Sequence, residues 1–251
     1  MNRRLSDDVA PETAARFRDV EQNLCRIRET IAEAAARAGR APEDVTLMAV
    51  TKTVPAAVIN HALSLGVDTI GENRVQELNA KYDDLDREGR HIHLIGHLQT
   101  NKVRQVVGRV EMIQSVDSAR VAAAIAARSR ELGRVTDVLV EINVGGEASK
   151  SGVSPEAAYE LVCEADEMNG INVQGLMTIP PANCDITQTR RYFAEIYKLF
   201  IDIGSKKSHN NNYTMRVLSM GMSADYAEAI LEGSTMVRVG SALFGRRTSQ
   251  R

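Results

Sequence analysis

A lysine closes the apolar run Leu47-Met48-Ala49-Val50-Thr51-Lys52. An amine at the end of a buried strand is partly withdrawn from water. That disfavours the ammonium form and leaves a free amine able to attack an aldehyde. Alone the placement says little, because strand-terminal lysines commonly snorkel into solvent. Two later segments change its weight. Leu218-Ser219-Met220-Gly221-Met222-Ser223 and Arg238-Val239-Gly240-Ser241-Ala242 each set glycine beside a hydroxyl. Glycine lets backbone amides approach an anion and the hydroxyls can donate to it, so the pair suits a phosphate; either alone suits an ordinary helix cap. Arg238 adds a cation that does not titrate near neutrality.

Other residues carry weaker signals. His91 and His93 share one face of a strand and could ligate a metal, but no acidic or thiol partner stands at a convincing spacing, so a structural pair is expected. Lys150 is a rival amine in Glu147-Ala148-Ser149-Lys150-Ser151-Gly152, a polar stretch without an apolar lead-in, where a solvated lysine is expected. Gly71-Glu72-Asn73 and Gly96-His97-Leu98-Gln99 read as turns with helix caps, or as loops at the rim of a site. No Gly-x-Ser-x-Gly elbow or Walker loop occurs.

The elements that must position these residues alternate. A long helical pattern over 11–38 stops at Gly39. Short β-branched runs follow at 45–50, 67–70, 91–95, 112–114, 138–142, 173–177, 215–218 and 236–239. Helical patterns separate them at 55–65, 74–85, 100–107, 118–132, 155–168, 187–203 and 224–232. Such alternation predicts parallel βαβ units, and roughly eight strands in about 250 residues is the arithmetic of a single-domain (β/α)8 TIM barrel. A doubly wound open sheet is the structural alternative. The chain would open with an additional N-terminal helix able to cover strand eight. Residues 1–10 read as a flexible extension, 11–251 as the barrel, and the polar stretch 206–212 as a solvated connection before strand seven. In a barrel the working face is the carboxyl end of the strands, with phosphate commonly held by the loops after strands seven and eight. Closure makes strands one and eight neighbours, so Lys52 would face Arg238 and both glycine loops. An amine for an aldehyde, a cup for a phosphate and an arginine between them describe a pocket for pyridoxal 5′-phosphate (PLP).

Composition narrows the function classes. The chain has 251 residues, 43% of them hydrophobic, and a net charge of −2 with scattered cations, which is not the basic face nucleic acid requires. Three widely spaced cysteines, Cys25, Cys163 and Cys184, form no CxxC pair and suit a reducing cytoplasm better than a disulfide framework or zinc ribbon. No apolar run approaches the ~20 residues of a membrane span, and the acids near the N-terminus argue against a signal or transit peptide.

Several segments together resemble the pyridoxal phosphate homeostasis protein family. They are Ala49-Val50-Thr51-Lys52-Thr53, Gly71-Glu72-Asn73-Arg74-Val75-Gln76-Glu77, Ile95-Gly96-His97-Leu98-Gln99-Thr100-Asn101-Lys102, Ser149-Lys150-Ser151-Gly152, Gly175-Leu176-Met177, the Leu218–Ser223 stretch and Gly233-Ser234-Thr235-Met236-Val237-Arg238-Val239-Gly240. The likeness spans about residues 45–246. It implies a fold similar to the barrel half of alanine racemase, with PLP carried as an internal aldimine on Lys52. It places Arg238 near the cofactor ring nitrogen, assigns phosphate contacts to Ser219, Gly221, Ser223, Gly240 and Ser241, and sets Asn73 near the cofactor. The family usually has threonine where this chain has Ser241, proline where it has His97, and commonly serine where it has Thr51.

The resemblance implies a carrier and regulator of intracellular vitamin B6 rather than a catalyst, with no catalytic residues assigned. Its expected partners are PLP and apo forms of PLP-dependent enzymes; a cytoplasmic monomer is expected. Physical reasoning points the same way. An arginine that donates to the pyridine nitrogen keeps it unprotonated, which makes the ring a poor electron sink. Racemisation also needs acid–base groups on both faces of the substrate carbon. A PLP-dependent amino-acid racemase is the alternative, and a phosphosugar lyase using Lys52 on its substrate is a third reading.

Overall fold

The computed structural model describes residues 11–147, 150–206 and 213–245. The expected extension 1–10, most of the polar connection, Ser149 of the lysine motif and the tail from 246 onward lie outside the described residues. Among the described residues, eight parallel strands close into a barrel in sequence order. They are β1 (Thr46–Val50), β2 (Thr69–Glu72), β3 (His91–Leu94), β4 (Met112–Val116), β5 (Thr136–Ile142), β6 (Ile171–Thr178), β7 (Val217–Met222) and β8 (Met236–Val239). The helices are α1 (Pro11–Arg37), α2 (Ala56–Ser64), α3 (Val75–Lys81), α4 (Val103–Val106), α5 (Ala119–Glu131), α6 (Ala158–Asp166), α7 (Ile186–Ser205), α8 (Tyr226–Leu231) and α9 (Ser241–Phe244). The closed barrel displaces the open-sheet alternative. Closure is made by β1 against β8, with Met48 opposite Arg238 and Ala49 opposite Val239.

Side-chain alternation divides the core into two layers. Outward-facing strand residues such as Ile70, Leu94, Val140, Leu218 and Val237 join the helices in one continuous apolar shell. Inward-facing residues fill the bore in two smaller clusters, one holding Met48, Val50, Ile95 and Met236, the other Met112, Leu139 and Met177. The bore is thus packed largely by thioethers, which adapt to irregular gaps. α1 buries Val20, Leu24, Ile27, Ile31, Ala34 and Ala35, the spacing of one helical stripe, and packs on α8, α9 and α2. This is the cover that strand eight requires.

Most strands differ from the sequence pattern by one to four residues at an end, and the differences at β2 and β7 have a local cause. β2 begins at Thr69 rather than 67, because Gly66 ends α2 with a positive φ and the Val67 amide still donates back to Ala62. β7 begins at Val217 and runs on through Met222, where a loop was expected from Ser219. Its pairing with β8 shifts register between Ser219 and Met222, and Gly221 sits at φ 91°, a conformation open to glycine without strain. Ser219 therefore lies within the barrel wall. The final short helix, α9, was not apparent from the sequence.

Candidate functional site

The carboxyl ends of β1, β7 and β8 converge on one sector of the barrel mouth. Lys52 follows the last residue of β1 by two and is half-buried. Gly240, just past β8, lies against the end of β1: a Cβ there would stand 3.3 Å from Val50 Cβ. Arg238 points into the bore and is 3% exposed. Its Nη1 donates to Ser219 Oγ at 2.7 Å and its Nη2 to the Thr178 carbonyl at 2.9 Å. Burial lowers the Arg238 pKa to about 10, against the pull of Asp225 and Glu141, so it remains a cation at neutral pH.

The two glycine loops meet through Ser223. Its Oγ accepts hydrogen bonds from the Gly240 amide at 3.1 Å and the Ala242 amide at 3.2 Å. A small oxygen already sits where two amides converge, which is the donor set a phosphate oxygen requires. Ser241 is exposed at the same turn. Gly221 cannot be enlarged, since a Cβ would come within 2.5 Å of Ala229 Cβ. Ser219 stands apart from these residues. It is fully buried beneath Arg238, and its hydroxyl donates to Gln114 Oε1 at 2.7 Å.

A network of charged residues under β1 fixes the backbone that carries Lys52. Thr51 Oγ1 donates to Glu72 Oε1 at 2.7 Å. Lys81 Nζ reaches the same carboxylate oxygen at 2.9 Å and the Thr51 carbonyl at 2.9 Å. Threonine in place of the commoner serine thus keeps the hydroxyl that the network uses. Beyond Lys52, Thr53 adopts φ 63°, rare for a β-branched residue, while its amide donates to Glu77 Oε2 at 2.8 Å. Burial pulls the Glu77 carboxyl upward, but the Thr53 amide and the Lys81 ammonium outweigh it and hold it below the usual range. Lys52 is therefore flanked on both sides by anchored residues.

Beside β1, Asn73 follows the last residue of β2 and presses against the β3 loop; a Cβ on Gly96 would overlap the Asn73 carbonyl. Asn73 Oδ1 and Glu141 Oε2 are buried acceptors with no hydrogen-bond partner among the described residues. Orphaned polar atoms of this kind call for a ligand or a proton. Burial and the Asp117 carboxylate push the Glu141 pKa up to about 7, against the opposing pull of Arg238. The exposed His97 ring ties the rim together, with Nδ1 at 3.1 Å from Asp117 Oδ2 and 3.2 Å from Ser151 Oγ. Lys150, expected to be solvated, keeps partial exposure while its Nζ lies 2.9 Å from Glu147 Oε1 and 3.4 Å from the Pro180 carbonyl.

The histidine pair divides. His91 is exposed, whereas His93 is buried with its pKa lowered to about 3 by desolvation and by His91. Among the described residues no group of three or more His, Cys, Asp or Glu could hold a metal. A cleft of about 500 Å³ lined by Arg40, Tyr197, Phe200 and Met215 opens at the amino-terminal end of the strands, away from this chemistry. Sequence reasoning passed over Gln114, Glu141, Asp117 and Lys81. Glu141 alone had a visible signal, a carboxylate interrupting the apolar strand Val138-Leu139-Val140-Glu141-Ile142.

Comparison with known proteins agrees with this architecture. The family model described as alanine racemase, N-terminal domain, matches residues 22–248. The pyridoxal phosphate homeostasis protein of Aquifex aeolicus is 42% identical over 229 residues, covering 90% of this chain and 97% of its own length. That of Escherichia coli K12 is 36% identical, covering 91% and 97% respectively. PipY of Synechococcus elongatus, solved with PLP bound, superposes with a TM-score of 0.74 at 33% identity, covering 86% of this chain and 100% of its own. With identity of this level running along nearly the whole barrel, the chain belongs to the pyridoxal phosphate homeostasis protein family.

Proposed function

We propose that this protein binds PLP at the barrel mouth and serves as a carrier that maintains the intracellular supply of the cofactor. The observation that carries the reading is the β1–β8 register, which pairs Arg238 with Met48 inside the barrel and sets Gly240 against Val50, at the strand end that leads to Lys52. The residues suit the group. The Lys52 nitrogen would hold the aldehyde carbon covalently, water leaving as the bond forms. Gly221, Ser223, Gly240 and Ser241 supply amides and hydroxyls to the phosphate. Arg238 would donate to the ring nitrogen, Asn73 would border the ring, and Ser219 acts from below by holding Arg238. When bound, PLP supplies an electrophilic carbon and, where its ring nitrogen is protonated, an electron sink.

Arg238 argues against strong catalysis. A guanidinium that remains charged at neutral pH can only donate, so the ring nitrogen facing it must accept and stays unprotonated. By the same resemblance the protein works as a cytoplasmic monomer and delivers PLP to apo-enzymes. Among the described residues no helix is long and apolar enough to cross a membrane.

The test is borohydride reduction of the protein saturated with PLP, followed by peptide mass mapping. Reduced cofactor mass is expected on the Lys52 peptide; its appearance on Lys150 instead removes the assignment. Deuterium exchange at the alpha carbon of L-alanine, followed by NMR, tests the carrier reading. Exchange at an ordinary enzymatic rate, on the order of 1–1000 per second, would make the protein an enzyme.

A further inference from the structure

A chain of hydrogen bonds crosses the bore beneath the mouth, linking β8, β7, β4 and β3. Arg238 Nη1 donates to Ser219 Oγ at 2.7 Å, Ser219 Oγ lies 2.7 Å from Gln114 Oε1, and Gln114 Nε2 lies 3.0 Å from His93 Nδ1. Ser219 and Gln114 are fully buried and His93 is 5% exposed. The surroundings are mainly thioethers and aliphatic side chains, including Met236 Sδ at 3.1 Å from Gln114 Nε2.

Each proton direction in this chain follows from the cation at its end. A guanidinium has only donors, so Ser219 Oγ must accept from it and pass its single proton to Gln114 Oε1. The Gln114 amide then presents its NH2 group to His93 and to the weakly accepting Met236 sulfur. The opposite amide orientation would leave Ser219 with two donors aimed at it and its own proton without an acceptor. His93 must therefore accept through Nδ1 and carry its proton on Nε2. The pKa of about 3 at this ring keeps it neutral across the physiological range.

We infer that His93 and Gln114 are positioning residues for the cofactor, acting through Ser219 to fix the plane of the Arg238 guanidinium. The inference rests on the assignment of Arg238 to the ring nitrogen. Without Gln114 and His93, Ser219 Oγ still accepts from Nη1, but its own proton has no fixed acceptor. The hydroxyl is then free to rotate and the Thr178 carbonyl becomes the one fixed acceptor of the fork, so the guanidinium turns about its terminal bonds. A donor that must be ordered on binding is a weaker donor. The sequence pattern His91-Ile92-His93, which suggests a metal ligand pair, has a different use here: His93 ends a directional chain that starts at the cofactor's arginine.

Guanidinium 15N–1H NMR of the apo protein reads the effect without any cofactor. Wild type should show separately resolved Arg238 Nη signals, assigned by their loss in Arg238→Lys. Gln114→Met, which keeps volume and removes both bonds, should collapse them into an exchange-averaged signal. Titration with PLP should then show a dissociation constant raised about tenfold. His93→Leu should behave alike, and His93→Gln should recover most of the loss because its amide oxygen can accept from Gln114. Weaker binding with unaltered Arg238 signals would overturn the inference, as would unchanged binding in Gln114→Met. Should Gln114→Met not fold, Ser219→Ala takes its place: collapsed signals with weaker binding support the inference, and either one unchanged overturns it. If wild type does not bind PLP, the cofactor reading falls, while the apo spectra still decide whether the chain orders Arg238.

Discussion

Arg238 and Glu141 feel one another's charge in the mouth, yet among the described residues no ion pair joins them. Arg238→Ala should weaken PLP binding by about 1.5–3 kcal/mol, the usual worth of a charge-assisted hydrogen bond, in a fluorescence titration. Glu141 makes a prediction about pH. Its folded pKa, about 7, lies above its ordinary value of 4.5. Between those values the native state binds more protons than the unfolded chain, so this group's contribution is full below about pH 4.5 and is lost as pH rises through 7. Glu141→Gln removes that loss. Its stability relative to wild type should rise by roughly 1–3 kcal/mol between pH 5 and pH 8 in urea melts, discounted for partial solvent access. A difference that stays flat over this interval would mean that Glu141 ionises normally.

At the level of elements, the clearest device is the latch between α3 and the ends of β1 and β2. Glu72 is 1% exposed and pairs with Lys81 Nζ at 2.9 Å. Lys81→Met should destabilise the fold by about 3–5 kcal/mol, because it leaves a buried carboxylate uncompensated. The double variant Lys81→Met/Glu72→Leu should recover much of that in the same denaturant series. At the two glycine loops, proposed to hold the phosphate, Gly240→Val should press on Val50 and weaken PLP binding far more than binding of unphosphorylated pyridoxal; equal losses would remove the cup. These elements were unequally legible in the sequence. The places of Lys52 and Arg238 in the fold were legible because the first follows the apolar run of β1 and the second interrupts that of β8, and the β1–β8 adjacency follows from closing an eight-stranded barrel. Ser219 was misplaced into a loop because its neighbours Gly221 and Ser223 carry turn chemistry, whereas the irregular pairing with β8 lets β7 continue through Met222. The Gln114–His93 contact joins residues 21 positions apart, and the Gln114–Ser219 contact joins residues 105 apart. Both depend on strand register and tilt, which no local pattern encodes. Lys81 was hidden by its ordinary place in the last turn of a helix.

For the whole molecule, the joint between the two ends of the chain matters most. α1 lays its apolar stripe over α8 and α9, and Asn23 donates to the Leu243 carbonyl at 3.1 Å. Leu24→Ala should cost about 2–5 kcal/mol, as for other fully buried leucines, and should lower the cooperative melting temperature without moving the borohydride-trapped mass from Lys52. The same joint sets when the protein can first work during its synthesis. Lys52 is translated well before Arg238 and Gly240, and the strand that leads to it gains those residues only after β8 has docked on β1. A nascent or truncated chain would display the lysine without the cup. On the proposed reading, tight holding of the cofactor needs the cup as well as the amine, and so waits until β8 has closed the barrel.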